Sequence, residues 1–145
     1  MRNDTLSALK EYGVKTFGNK KNIEALDRRI SENEQVHYIS FANMCIVNTL
    51  INTKSVIVGA IAITDKNIYI MNAMGSDQEG VYSLNDLSGA RYEANGLTGA
   101  QFNLTFNDMI ISFDASYKKD LARRLYDAIR KMGDLDDSGQ KLPNT

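Results

Sequence analysis

From Val36 onward the apolar residues of this chain stop recurring every three or four positions and begin to alternate with polar ones. That change of period restricts the middle of the molecule to strands. The clearest stretch runs over 100–106, where Ala100, Phe102, Leu104 and Phe106 interleave with Gln101, Asn103 and Thr105. Asn107-Asp108 then makes a two-residue turn, and Met109, Ile111 and Phe113 resume the apolar face. Such a hairpin has one dry side and one wet side. Residues 56–64 and 67–72 flank Asp65-Lys66 in the same way, and Asn95-Gly96 supplies a third turn because both residues tolerate positive φ. With 36–43, 81–84 and 89–94 added, the chain reads as about seven short strands, locally joined and therefore antiparallel.

Helical spacing holds on either side of this region. Asp4 is placed to cap a first helix over 5–12, with Leu6 and Leu9 as its apolar edge and Gly13 as its stop. Asn22 is placed to cap a second, in which Ile23, Leu26 and Ile30 share a face. The last helix is the most regular. Ser116 would cap it, Leu121, Leu125, Ala128, Ile129 and Met132 form one buried face, and Gly133 stands where a left-handed stop belongs. A bent sheet left open at one end offers this helix a place to bury that face. Beyond it, 134–145 reads as a polar, flexible tail. The expectation is one domain over 1–145: a helical segment at 1–33, a β-rich body at 34–133, and the tail.

Composition excludes several functions. Lys and Arg total 17 against 18 Asp and Glu, so no global field draws the chain to nucleic acid or an anionic bilayer. The apolar run at 56–63 is too short to span a membrane. The N-terminus is too polar for a signal peptide, and Cys45 is the only cysteine, so the expected location is the cytoplasm. His37 is the only histidine, which removes sites built from paired histidines. No Gly-x-Ser-x-Gly, Gly-x-x-x-x-Gly-Lys or Gly-x-Gly-x-x-Gly pattern occurs. Asp134, Asp136, Ser138 and Gly139 imitate the opening of a calcium loop, but Thr145 stands where the bidentate Glu belongs. No enzyme activity, cofactor or metal is expected.

Glu34-Gln35-Val36 opening the first strand, the central hairpin from Gly59 to Ile70, Leu84-Asn85-Asp86-Leu87-Ser88-Gly89 and Gly96-Leu97-Thr98-Gly99-Ala100 together resemble the bacterial pleckstrin-homology-like domains of the YokE-like family. The resemblance covers roughly 34–132. It implies a mainly β (α+β) fold: a PH-like bent antiparallel barrel of about seven strands with a C-terminal capping helix, here with an N-terminal helical extension. It also implies self-assembly more than any particular ligand. Lipid-binding members of the wider superfamily carry a Lys and Arg cluster across the first two strands, whereas 41–56 contains only Lys54.

Two surfaces are candidate sites. Met44, Ile46, Val47, Leu50 and Ile51 crowd one segment; as an exposed loop they would bind a protein or a second copy of the chain, and as longer strands they would be core. On the last helix, Lys119, Arg123, Tyr126 and Arg130 fall in one narrow arc, a basic stripe able to hold phosphate groups or an anionic membrane surface, diluted by Asp120 and Asp127. The expected partner is the chain itself or another protein, with no specific nucleic acid; a membrane surface is the alternative.

Overall fold

The computed structural model describes residues 1–73, 79–95, 99–115 and 119–141. Its elements run α1 (Asn3–Glu11), α2 (Lys20–Asp27), β1 (Val36–Asn48), β2 (Thr53–Thr64), β3 (Asn67–Asn72), β4 (Gly80–Ser83), a single 3-10 turn (Leu84–Asp86), β5 (Leu87–Asn95), β6 (Gly99–Phe106), β7 (Met109–Ala115) and α3 (Lys119–Met132). The seven strands are hydrogen-bonded in the order β4-β3-β2-β1-β7-β6-β5. The β2–β3, β3–β4, β5–β6, β6–β7 and β1–β7 pairs are antiparallel. The chain divides into two compact units, one of Met1–Asn43 with Ile57–Ser83, the other of Met44–Val56 with Leu84–Thr145.

In the first unit residues 60–63 of β2 and 68–71 of β3 are buried on both faces, which is why 60–63 is unbroken apolar sequence, while Val58 before it is exposed. Ala60 pairs with Met71 and Ala62 with Tyr69 on one face; Ile61 pairs with Ile70 and Ile63 with Ile68 on the other. Ala8 and Leu9 of α1 and Ile23 and Leu26 of α2 join the Ala60, Ala62, Tyr69 and Met71 face in one core cluster. The short alanines leave room for the two helices. Each fully buried Ile or Leu there contributes about 1.5–3 kcal/mol. The N-terminal helices are therefore part of this unit's core.

Glu34, almost fully buried, fastens the helical segment to the hairpin. Its carboxylate accepts from Thr64 Oγ1 at 2.6 Å, from Asn67 Nδ2 at 2.8 Å and from the Tyr69 hydroxyl. Thr64 Oγ1 in turn accepts from the N–H groups of Lys66 and Asn67 and closes the β2–β3 turn. Arg2 donates to the carbonyls of Ser31 and Glu34 and pairs with Asp4. Asp4 accepts the N–H of Val36 at 2.7 Å, so its carboxylate holds the start of β1 as well as accepting the N–H of Thr5 at 3.0 Å. The second helix begins after Asn19, and Asn22 lies in its first turn instead of capping it. Gly13 stops α1 as expected, with φ of 59°.

In the second unit a row of side chains crosses four strands: Tyr92 opposite Phe102, Phe102 opposite Phe113, and Phe113 opposite Met44. The rings of Phe102 and Phe113 stack at 5.1 Å and those of Tyr92 and Phe102 at 5.5 Å. Leu104, Ile111 and Ile46 form the next row. Helix α3 lies against β5 and β6 with Ala122, Leu125, Tyr126 and Ile129 buried.

Two expectations for the end of the chain fail. The left-handed residue after α3 is Asp134, with φ of 54°, not Gly133. The N–H of Leu135 bonds to the carbonyl of Arg130 at 2.9 Å and that of Asp134 to Lys131, which is a Schellman closure. Gly133 has a different part: a Cβ there would come within 2.6 Å of a Leu87 methyl, which would have to shift to admit it. Nor does the tail fray through 134–141. Leu135 is buried, Gly139 accepts the N–H of Ala90 at 2.9 Å against the β5 edge, and Lys141 reaches the carbonyls of Asn85 and Gly133. One buried leucine and a strand edge needing acceptors outweigh the segment's polar composition. Asp134→Gly is expected to raise stability by about 0.5–1 kcal/mol, since it relieves a left-handed non-glycine residue and removes a negative charge from a helix C-terminus. A urea midpoint that falls would contradict this account of the cap. The expected Ser116 cap and the Asn95-Gly96 turn involve residues outside those described.

Candidate functional sites

The segment 44–51 is divided by strand register between core and surface. Met44 and Ile46 sit opposite Phe113 and Ile111 on the apolar face; Met44 is buried and Ile46 half-buried. Val47 pairs with Ile110 on the other face and is half-buried. Leu50 and Ile51 lie in the turn after β1, 74% and 68% exposed. The segment is therefore core at Met44 and exposed turn at Leu50 and Ile51. The turn is tightly built. The Asn48 carboxamide oxygen accepts from the N–H groups of Leu50 and Ile51, and Thr49 donates its N–H and its hydroxyl to the carbonyl of Asp108 at 2.8 and 3.0 Å. Asn52 takes the left-handed conformation, φ 53°, that reverses the chain. Val56, further along β2, is 69% exposed. Large apolar side chains are thus held in water on a hairpin end whose backbone is fixed, so presenting them to a partner costs little ordering entropy.

The stripe on α3 is placed differently from its helical projection. Tyr126 is buried, its ring 4.8 Å from that of Tyr92 and its hydroxyl 3.4 Å from the carbonyl of Ala90. Arg130 is mostly buried and pairs with Asp127 at 3.5 Å and Asp137 at 3.2 Å. Arg123 is exposed, pairs with Asp127 and lies over the Tyr126 ring. Lys119 is exposed. A groove of about 340 Å³ opens beside Arg123, lined also by Arg91, Tyr92, Glu93, Asn103, Tyr126 and Asp137. Two arginines there face two carboxylates, so the groove has no net attraction for an anion. Helical spacing had grouped Tyr126 with the charges, but Tyr92, a half-buried strand tyrosine outside the helix, provides it with a ring to pack on.

Asp136, from the calcium-like segment, spends its carboxylate on its own turn, accepting from Ser138 and from Gln140 N–H. These bonds lower its pKa, most of all the Ser138 hydroxyl. Among the described residues no cluster of His, Cys, Asp and Glu is arranged to hold a metal ion. No helix among them is long and apolar enough to cross a membrane.

Compared with solved structures, the chain is similar to the Vps36 N-terminal PH domain: 19% identity, a TM-score of 0.50, and coverage of 72% of this chain and 83% of that one. The chain has a pleckstrin-homology-like fold. The expected architecture, seven antiparallel strands closed by a terminal helix, is the one found. No protein-family model matches the chain, and comparison with curated proteins finds no match. The second unit carries both surfaces singled out from the sequence.

Proposed function

We propose that this PH-like domain is a non-enzymatic binding and assembly module that docks a protein surface, a second copy of itself included, through the end of the β1–β2 hairpin. The observation that carries this reading is the exposure of Leu50 and Ile51 on a turn pinned by Asn48 and Thr49. An apolar centre edged by polar Asn48, Asn52 and Lys54 has the composition of a small protein interface. The balanced charge around the α3 groove is the reason to prefer the hairpin over an anionic ligand. Within this reading the chain groups with the bacterial YokE-like domains and works in the cytoplasm, where its only cysteine stays reduced.

Light scattering over a range of concentrations tests it. The wild type is expected to exceed the 16.2 kDa of one chain as concentration rises. Leu50→Asp and Ile51→Asp should each weaken association roughly tenfold, as interface residues of substantial weight do. Their melting temperatures should stay near wild type because both side chains are already in water. A strictly single-chain mass at high concentration, with no partner retained on the immobilised protein, would refute the proposal.

A further inference from the structure

The first unit carries a second exposed apolar feature, on the connection between α1 and α2. Phe17 is 99% exposed, more than any other large apolar residue described. It is not there through looseness of the connection. Val14 packs against the core cluster and its N–H closes on the carbonyl of Leu9 at 2.9 Å, which anchors one end. Asn19 N–H bonds to the Thr16 carbonyl at 3.0 Å, and Gly18 adopts φ of 83°. Those values make 16–19 a tight turn of the kind that needs a glycine in third position, with Phe17 at the outer corner. Asn19 then begins α2, anchored through Ile23 and Leu26. The corner is thus held between two buried points.

Its surroundings are basic. Lys15, Lys20 and Lys21 are all exposed, and 12–23 contains no Asp or Glu. The Glu24 carboxylate lies 3.9 Å from Lys20, a weak exposed pair. Within 12–23 Phe17 is the one exposed large apolar side chain, since Tyr12 and Ile23 are buried and Val14 is half-buried. A protein interface would surround an aromatic anchor with apolar contacts and would exclude lysine from its centre. One projecting aromatic among lysines matches instead the boundary of an anionic bilayer, where the ring enters the acyl margin and the ammonium groups stay with the headgroup phosphates. We infer that the Phe17 turn is a peripheral contact for an anionic membrane surface.

The chain has no tryptophan, which provides a direct test. Phe17→Trp places the only indole at the corner, and its emission is followed as vesicles are added. Phosphatidylcholine vesicles containing phosphatidylserine should shift the emission to the blue, with quenching by brominated acyl chains, and phosphatidylcholine alone should do neither. In the Phe17→Trp background, each of Lys15→Gln, Lys20→Gln and Lys21→Gln should weaken partitioning about fivefold, and raised salt should act in the same direction. Phe17→Ala should abolish cosedimentation while leaving the melting temperature unchanged, because a side chain wholly in water supports no packing. Absence of a blue shift with anionic vesicles at low salt overturns the inference. An equal shift with neutral vesicles that ignores the lysine changes overturns it too. An emission change that arises only on adding a protein partner would assign the turn to protein docking and count against the membrane.

Discussion

Phe102→Ala is expected to lower the stability of the domain by about 3–5 kcal/mol, the usual cost of emptying a fully buried phenylalanine site. The ring occupies the middle of a stack, 5.5 Å from Tyr92 on β5 and 5.1 Å from Phe113 on β7, so its loss removes two ring contacts together with the buried area. Little can move in to fill the space, because the flanking rings are fixed by strand pairing on both sides. Tyr92 also supports Tyr126, so the docking of α3 on β5 should weaken with it. Urea unfolding followed by far-ultraviolet circular dichroism measures the loss. Phe102→Leu should recover a good part of it by keeping most of the volume. A change under about 1 kcal/mol for the alanine variant would mean that the stack is not the centre of this core.

That stack was legible in outline from the amino-acid sequence. The alternation of Ala100, Phe102, Leu104 and Phe106, and of Met109, Ile111 and Phe113 across Asn107-Asp108, determines both the strands and their register. Asn107 takes the positive φ, 44°, that a two-residue turn asks of it. The length of β1 was harder to read, because Met44-Cys45-Ile46-Val47 is apolar on both faces and period two disappears from such a run. What escaped depends on partners distant in sequence. Arg130 looks like one of a row of cations until Asp137 folds back on it, and Tyr126 looks polar-facing until Tyr92 arrives from β5. Leu135 and Gly139, an apolar residue and a turn glycine inside a polar segment, were a usable sign that 134–141 packs. Phe17 carried a sign of its own, an aromatic between Gly13 and Gly18 with three lysines around it. Glu34 carried none, since its partners Thr64, Asn67 and Tyr69 come from another hairpin and nothing local distinguishes it from a solvated glutamate.

Glu34 is also a point at which acid should act on the fold. Burial pushes its carboxyl pKa upward, but the hydrogen bonds from Thr64, Tyr69 and Asn67 outweigh burial and hold it below the ordinary 4.5. A carboxylate more acidic in the folded state than in the unfolded chain stabilises the fold fully at pH values above its unfolded pKa. That stabilisation is lost as pH falls through the folded pKa. Asp4 behaves in the same sense: burial is opposed by the Val36 N–H and by Arg2, leaving its pKa below 3.8. The first unit should therefore weaken progressively below about pH 4.5, with both groups contributing. Glu34→Gln should flatten part of that acid slope while Asp4 preserves the remainder. At neutral pH it should cost about 1.5–3 kcal/mol, because charged hydrogen bonds become neutral ones. Glu34→Ala should cost more, about 3 kcal/mol or above, because three buried or half-buried donors lose their shared acceptor. At the alkaline end Tyr69 acts oppositely. Burial, and then its hydrogen bond to Glu34, raise its pKa above 10.0, so its contribution is complete below the unfolded pKa and disappears as pH rises through the folded one. Chemical unfolding of wild type and Glu34→Gln across the acid range decides the matter: parallel stability curves for the two proteins would show that the buried carboxylate is not what fastens the helical segment to the β2–β3 hairpin.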